Sequence, residues 1–346
     1  MPNPLGKKIF RGSNYNYVFD MDTGVFQRWG ATVDDDPDWC PYGPELLDLE
    51  ISTGSCKGKC KWCYKANGDP ANDHHMSFDQ FKIIFDKMPY VLTQIAFGIT
   101  DTYANKDFFK MMEYSRNNGV VPNYTTHGLD VDQEAADRTA ELCGAVAVSV
   151  VNKAKTFKAI ELYKAAGMDQ VNIHFVLSEE SFDDAKRLAK EVSELDLGVR
   201  AIVFLQYKSK GRMNEQYHSI LSVEKYKDLT QYCDELGVGY GFDSCSAPVF
   251  ADAVVGHPYE KELLQLIEPC ESGLFSAYIN CHGVFFPCSF TENEKGWHDG
   301  IDVLHCISFT QDVWLHDRVK AWRKNLLENK RHCPTFCLYR NEMVNE

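Results

Sequence analysis

The stretch that decides the reading is Leu46-Leu47-Asp48-Leu49-Glu50-Ile51-Ser52-Thr53-Gly54-Ser55-Cys56-Lys57-Gly58-Lys59-Cys60-Lys61-Trp62-Cys63-Tyr64. Its first six residues read as a strand. That strand delivers directly into a loop with cysteines at positions 56, 60 and 63. Each iron of a cubane cluster takes one thiolate, and a short loop can present three of them to one face. Three ligands leave the fourth iron open to bind and polarise another molecule, as an open zinc position does. The competing reading is a structural zinc, with Cys40, His74 or His75 as the fourth donor. Zinc sites usually present paired C-x2-C knuckles, whereas this loop carries a C-x3-C-x2-C triplet.

Outward from the loop, the pattern alternates. Strands are expected over 94–100, 121–126, 145–151, 170–177 and 199–207, and helices over 77–88, 105–118, 132–143, 153–166 and 182–195. Ser77 with Gln80, and Ser181 with Asp184, suit capping boxes; Gly119 suits a helix end. Six consecutive β-then-α units predict an α/β fold with parallel strands covered by helices. Six units make a partial (βα)6 TIM-like barrel rather than a full eight-unit one. A helix over 223–236 and a strand over 238–242 follow. After Cys245 the alternation is expected to stop. Segments 274–280 and 284–287 flank Cys281-His282-Gly283, a hairpin turn, and 311–329 has a helical apolar period. The expected division is an extension over 1–44 with a hairpin of 16–20 and 25–29, the barrel over 45–245, and a small cysteine-bearing domain over 246–346.

Composition narrows the function. The chain has 346 residues, 44% of them hydrophobic, enough to bury a full core. No apolar run spans a bilayer and the N-terminus lacks a signal-peptide core, so a cytoplasmic protein without membrane attachment is expected. The net charge of −14 and the lack of a basic stripe argue against a nucleic-acid partner. Thirteen cysteines in such a chain point to metal ligation or redox chemistry rather than disulfides. Isolated Cys143 and Cys233 lie in helical patterns and read as small buried apolar residues.

The C-x3-C-x2-C loop after the first strand of a partial barrel resembles the radical S-adenosylmethionine (SAM) superfamily, in which an aromatic, here Trp62, precedes the third cysteine. The resemblance implies that Cys56, Cys60 and Cys63 hold a [4Fe-4S] cluster and that SAM chelates its open iron through amino and carboxylate groups. An electron from the cluster would then break a sulfur–carbon bond and give a 5′-deoxyadenosyl radical. The α/β rule places SAM across the C-terminal ends of the strands. Candidate contacts there are Trp62, Gly98, Thr100, Asp101, Thr125, Ser149, His174 and Arg200. The family often has a glycine-rich segment at the end of the second strand, with an acid that contacts the SAM amino group; Asp101 or Thr100 would take that role here, although the double glycine is absent. Gly211-Arg212 resembles a recurrent family turn.

A second set, Cys270-x12-Gly283-x4-Cys288 followed by Cys333 and Cys337, resembles the SPASM or shorter twitch extension that carries auxiliary iron–sulfur clusters. The tail has too few cysteines for two clusters, so one of [4Fe-4S] type is expected, held by Cys270, Cys288, Cys333 and either Cys245 or Cys337. Zinc is the alternative in this tail too. Relatives with such extensions mostly modify peptides or protein side chains by crosslinking, epimerisation or oxidation, and others act on sugars, nucleotides or amino acids. Both substrate classes stay open here. The first 44 residues are short for the module with which many peptide-modifying relatives hold a leader, which counts against the peptide reading. A reductant such as flavodoxin or ferredoxin is implied. A non-catalytic iron–sulfur electron carrier is the remaining alternative, but it has little need of a barrel or an open iron.

Overall fold

Exposure alternates residue by residue along Val171–Leu177, with every second side chain buried. That period is what a strand shows when helices cover one face only. The computed structural model describes residues 6–212, 216–220 and 222–333. In chain order the strands are β1 (Lys7–Arg11), β2 (Asn16–Asp20), β3 (Phe26–Trp29), β4 (Leu46–Glu50), β5 (Ser52–Thr53) and β6 (His74–His75). Then come β7 (Gln94–Gly98), β8 (Val121–Thr126), β9 (Val146–Ser149), β10 (Val171–Leu177), β11 (Ile202–Gln206) and β12 (Tyr240–Phe242). The tail adds β13 (Ser276–Ile279), β14 (Val284–Phe286) and β15 (Ile301–Asp302). The helices are α1 (Phe78–Lys87), α2 (Phe108–Asn117), α3 (Gln133–Leu142), α4 (Lys153–Ala165), α5 (Phe182–Leu195), α6 (Val223–Leu236), α7 (Ala247–Ala253), α8 (Glu260–Leu266) and α9 (Asp317–Glu328).

The main sheet has ten strands in the order β12-β11-β10-β9-β8-β7-β4-β13-β14-β15. From β4 to β12 each new strand adds at the same edge, parallel to its neighbour. This is a singly wound barrel wall, not a doubly wound sheet with a switch point. No strand pair closes it among the described residues. The wall is the expected (βα)6 series plus the short β12. Leu47, Leu49, Ile95, Phe97, Val146, Val148, Ile173 and Phe204 join helix side chains such as Phe81, Ile84 and Met111 in one core. Burying such a side chain contributes about 1.5–3 kcal/mol. The other face carries Asp48, Asn123, Thr125, Ser149, Asn172 and His174, in alternation with that core.

The Ser77 capping box forms: its hydroxyl accepts the Gln80 N–H and the Gln80 side chain accepts the Ser77 N–H. Ser181 does not cap in this way. Its hydroxyl turns back to the Val176 carbonyl at 3.0 Å, so it closes the preceding turn. Past Cys245 two short helices follow in succession, α7 and α8, which sequence periodicity did not reveal. The expected helix over 311–329 is broken. A wide turn over Phe309–Trp314 ends before His316, whose ring accepts the Arg318 N–H and starts α9 afresh.

The tail continues the barrel sheet. β13 pairs parallel with β4 and turns through Gly283 (φ +78°) into antiparallel β14. The N-terminal hairpin gains β1 as a third strand. Its Tyr15, Tyr17 and Phe19 form a second core with Cys40, Cys270, Leu274, Phe275 and Leu326. Arg28 locks that contact through Glu45 at 3.0 Å, Glu271 at 3.3 Å and the Phe275 ring. No helix among the described residues is long and apolar enough to cross a membrane.

Candidate cysteine-rich active site

The loop that leaves β4 and β5 turns at Lys59, which adopts a left-handed φ of 46°. Cys56, Cys60 and Cys63 are all half-buried. A Cβ added at Gly58 would lie 3.4 Å from the sulfurs of both Cys56 and Cys60. The Cys56 and Cys60 sulfurs thus flank the same glycine, and the donor set and its position suit a cluster. Burial, then the neighbouring thiols of Cys63 and Cys56, push the Cys60 thiol up to about 11.

Gly211-Arg212 clamps this loop from the far side of the wall. The Arg212 N–H donates to the Cys63 carbonyl at 2.8 Å, and its guanidinium to the carbonyls of Cys60 at 3.2 Å and Asn67 at 2.5 Å. Gly211 has φ +70°, and a Cβ there would fall 2.0 Å from the Tyr64 carbonyl oxygen. Both positions are explained by close backbone approach.

The ends of β7 and β8 add polar groups. Asp101 accepts the Lys57 N–H at 2.9 Å and lies 2.6 Å from Nε2 of His127. Nδ1 of His127 accepts the Leu129 N–H at 3.0 Å, so the ring proton sits on Nε2 and is donated to Asp101. Burial opposes charge on His127, yet its bonds to Cys56 and Asp101 raise its pKa. Burial likewise acts against the Cys56 thiolate, but His127 and the Gly58 N–H hold that thiol below its usual range. Sequence reading missed His127, although its place directly after β8, at the ligand end of the wall, was the available signal.

The other candidates sort by position. Thr125 Oγ1 lies 3.5 Å from His174 Nδ1, and Ser149 is paired with His174 across β9 and β10. These three share one patch on the polar face. Burial lowers the His174 pKa to about 4, so the ring is neutral near pH 7. Beneath them, burial raises Asp48 to about 6. Gly98 is exposed opposite Glu50, where a Cβ would come within 3.2 Å of the Glu50 backbone. Trp62 meets Tyr217 edge-on and lines a cleft with Phe175, Glu180 and Gln216. Two candidates are not brought to the patch. Thr100 is 2% exposed and bonded to Ser52, which makes it part of the loop's support. Arg200 is exposed ahead of β11, at the end of the wall opposite the cysteine loop, because that strand starts three residues later than expected.

The second set gathers Cys245, Cys270, Cys288 and Cys333. Burial, then the thiols of Cys333, Cys245 and Cys288, push Cys270 well above its usual range. Burial and then Cys333 raise Cys288 to about 11. Cys337 lies outside the described residues. Beside Cys245, the buried Lys208 ammonium pairs with Asp243 at 2.8 Å and lies over the Phe290 ring at 4.5 Å. A buried network joins the two halves: Lys65, just after the first loop, bonds to Tyr278 at 2.7 Å, to Glu50 at 3.1 Å and to Glu292. Cys143 and Cys233 are buried in the core, and burial raises Cys233 to about 12.

No protein-family model and no curated protein matches the chain. Solved structures do. SuiB of Streptococcus suis bound to the precursor peptide SuiA aligns with TM-score 0.62 at 13% identity, over 81% of this chain and 66% of that one, just under two thirds of its length. SuiB bound to S-adenosylmethionine aligns with TM-score 0.59 at 13% identity, over 84% and 66%. Native anSMEcpe with bound AdoMet and the Cp18Cys peptide aligns with TM-score 0.58 at 17% identity, over 80% of this chain and 82% of that one. Across four fifths of its length, this chain has the fold of SuiB and anSMEcpe.

Proposed function

We propose that this chain is a radical SAM enzyme that abstracts hydrogen from a peptide or protein side chain. The observation that carries the reading is the placement of Cys56, Cys60 and Cys63 on one loop, with the Cys56 and Cys60 sulfurs beside Gly58, at the C-terminal end of an open parallel wall. A [4Fe-4S] cluster on those three thiolates would supply the electron that cleaves SAM to a 5′-deoxyadenosyl radical. Cys245, Cys270, Cys288 and Cys333 would hold one auxiliary cluster, of [4Fe-4S] type.

The chain's own residues have defined duties in this reading. The Arg212 clamp fixes the loop, and Asp101 with His127 shapes its wall beside Cys56. Thr125, Ser149 and neutral His174 offer hydrogen bonds to SAM without adding charge, and Gly98 leaves the backbone bare for close approach. The exposed face of Trp62 suits the adenine or the substrate. An unclosed wall admits a polypeptide, and the SuiB and anSMEcpe structures both hold peptides. A flavodoxin or ferredoxin would deliver the electron.

The test is anaerobic reconstitution, then dithionite and SAM, with 5′-deoxyadenosine read by mass spectrometry. Product well above a Cys56→Ala/Cys60→Ala/Cys63→Ala control is expected, and product at the control level would defeat the reading. Iron and sulfide near eight per chain are expected; near four would remove the auxiliary cluster.

A further inference from the structure

Two groups among the described residues bring three metal-binding donors within 4.8 Å of one another. Cys56 with Asp101 and His127 belongs to the site above. The other group is separate from both cysteine sets: His74 on β6, with Cys281 and His282 in the turn between β13 and β14. We propose that His74, Cys281 and His282 form a mononuclear zinc site with one open coordination position.

Imidazole nitrogen and thiolate sulfur are the donors zinc prefers, and three protein donors plus a water is the pattern of a zinc that also accepts an outside ligand. Nε2 of His74 is buried and has no hydrogen-bond partner. Buried polar nitrogens are nearly always satisfied, so an orphan on a ring grouped with two further donors asks for an explanation. A bound cation supplies it by taking the lone pair. The His74 and His282 ring centroids lie 4.1 Å apart with the planes tilted by 32°. The carrier is stiff on both sides. His74 is paired with Thr53 in the β5–β6 ladder. Asn280 Oδ1 accepts the N–H groups of His282 at 3.1 Å and Val284 at 3.0 Å, and Gly283 packs on Leu304 too tightly for a Cβ. Ligands fixed before binding give affinity and geometry together.

The group opens onto a cleft whose walls include Thr53, Asn67, Asp69 and Asp73 along with His74 and His282. The cleft gives the ion an entry path and gives water, or a carboxylate, the fourth position. Cys281 itself is 1% exposed, and its thiol is hydrogen-bonded to the Glu50 carboxylate. Binding converts that thiol to a thiolate, so one proton is released for each ion bound, and no electron moves. The ion would pin the tail hairpin to the ladder that follows the first cysteine loop.

The test uses the anaerobically reconstituted holoprotein, incubated with zinc sulfate, desalted and assayed for metals. One retained zinc per chain is expected beyond the iron, with X-ray absorption fitted by one sulfur near 2.3 Å and two imidazole nitrogens at about 2.0–2.1 Å. His282→Ala alters an exposed turn residue and should lose that zinc with iron and sulfide unchanged, and should melt where the zinc-free natural chain does. Cys281→Ser should show the same loss and an all-nitrogen/oxygen shell for any residual metal. No retained zinc in the natural chain, equal zinc in His282→Ala, or a shell of sulfur alone would each overturn the proposal. Iron and sulfide counts in the same samples report separately on the cluster reading.

Discussion

The two cysteine sets are built in opposite ways. Cys56, Cys60 and Cys63 come from one loop, and all three stay half-buried. Cys245, Cys270, Cys288 and Cys333 come from four segments, after β12, before β13, after β14 and after α9, with Cys270 and Cys333 buried. The first set takes all its donors from one loop, which Arg212 and Asp101 hold from the wall, and its exposure leaves room for a reactant. The second exists only when the tail has packed onto the wall. Access and cohesion are thus divided between the two, and any metal on the second set is linked to global folding.

The largest expected effect breaks or confirms that division. Cys288→Ala in reconstituted protein should lower the unfolding free energy by about 3 kcal/mol or more, since it removes a ligand whose metal binds only the folded tail. The Cys56→Ala/Cys60→Ala/Cys63→Ala variant should change it by about 1 kcal/mol or less while abolishing SAM cleavage. Anaerobic urea melts decide. Equal losses in the two variants would mean that the first loop is as much a part of the fold as the second set.

The next effect sharpens the same contrast inside the first site. Arg212→Ala removes the guanidinium bonds to the Cys60 and Asn67 carbonyls and frees the loop without touching a sulfur. SAM cleavage should fall roughly 10–100-fold, as expected when a reacting group shifts by about 1 Å. The auxiliary iron should remain bound. Gly211→Ala should be worse, because its Cβ meets backbone only 2.0 Å away. Unchanged turnover in Arg212→Ala would show that the cysteines hold the loop by themselves.

Sequence made the first site legible because its donors are contiguous and sit at a strand end. The wall was legible for the same reason: β8, α5 and α6 fall within a residue of their expected bounds. What required the structure was non-local. The Lys65–Glu50–Tyr278–Glu292 network and the His74–Cys281–His282 group each join residues some 200 positions apart, and no periodicity marks them. Arg200 lies away from the polar patch because a strand's start is set by pairing, here with β12, rather than by its first β-branched residue. The helix over 311–329 failed because His316 caps α9 more favourably than it continues the preceding turn.

The smallest effect concerns acid, and it belongs to the open face under the first site. His174 has its pKa lowered to about 4 by burial, so the unfolded chain binds its proton first. Its contribution makes stability fall as pH drops from about 6.5 toward 4, by at most about 1.4 kcal/mol per pH unit. Asp48 is raised to about 6, so its penalty works the other way: stability falls as pH rises from about 4 through 6. The two slopes oppose one another across the same window and largely cancel in the natural chain. Replacing one should expose the other. Asp48→Asn should leave a protein that loses stability on acidification between pH 6.5 and 4 relative to the natural chain, and His174→Asn one that gains it. Parallel shifts of the two variants in urea melts at pH 5 and 7 would show that neither group is desolvated by the wall, and the contrast between an open polar face and a buried tail would lose its electrostatic half.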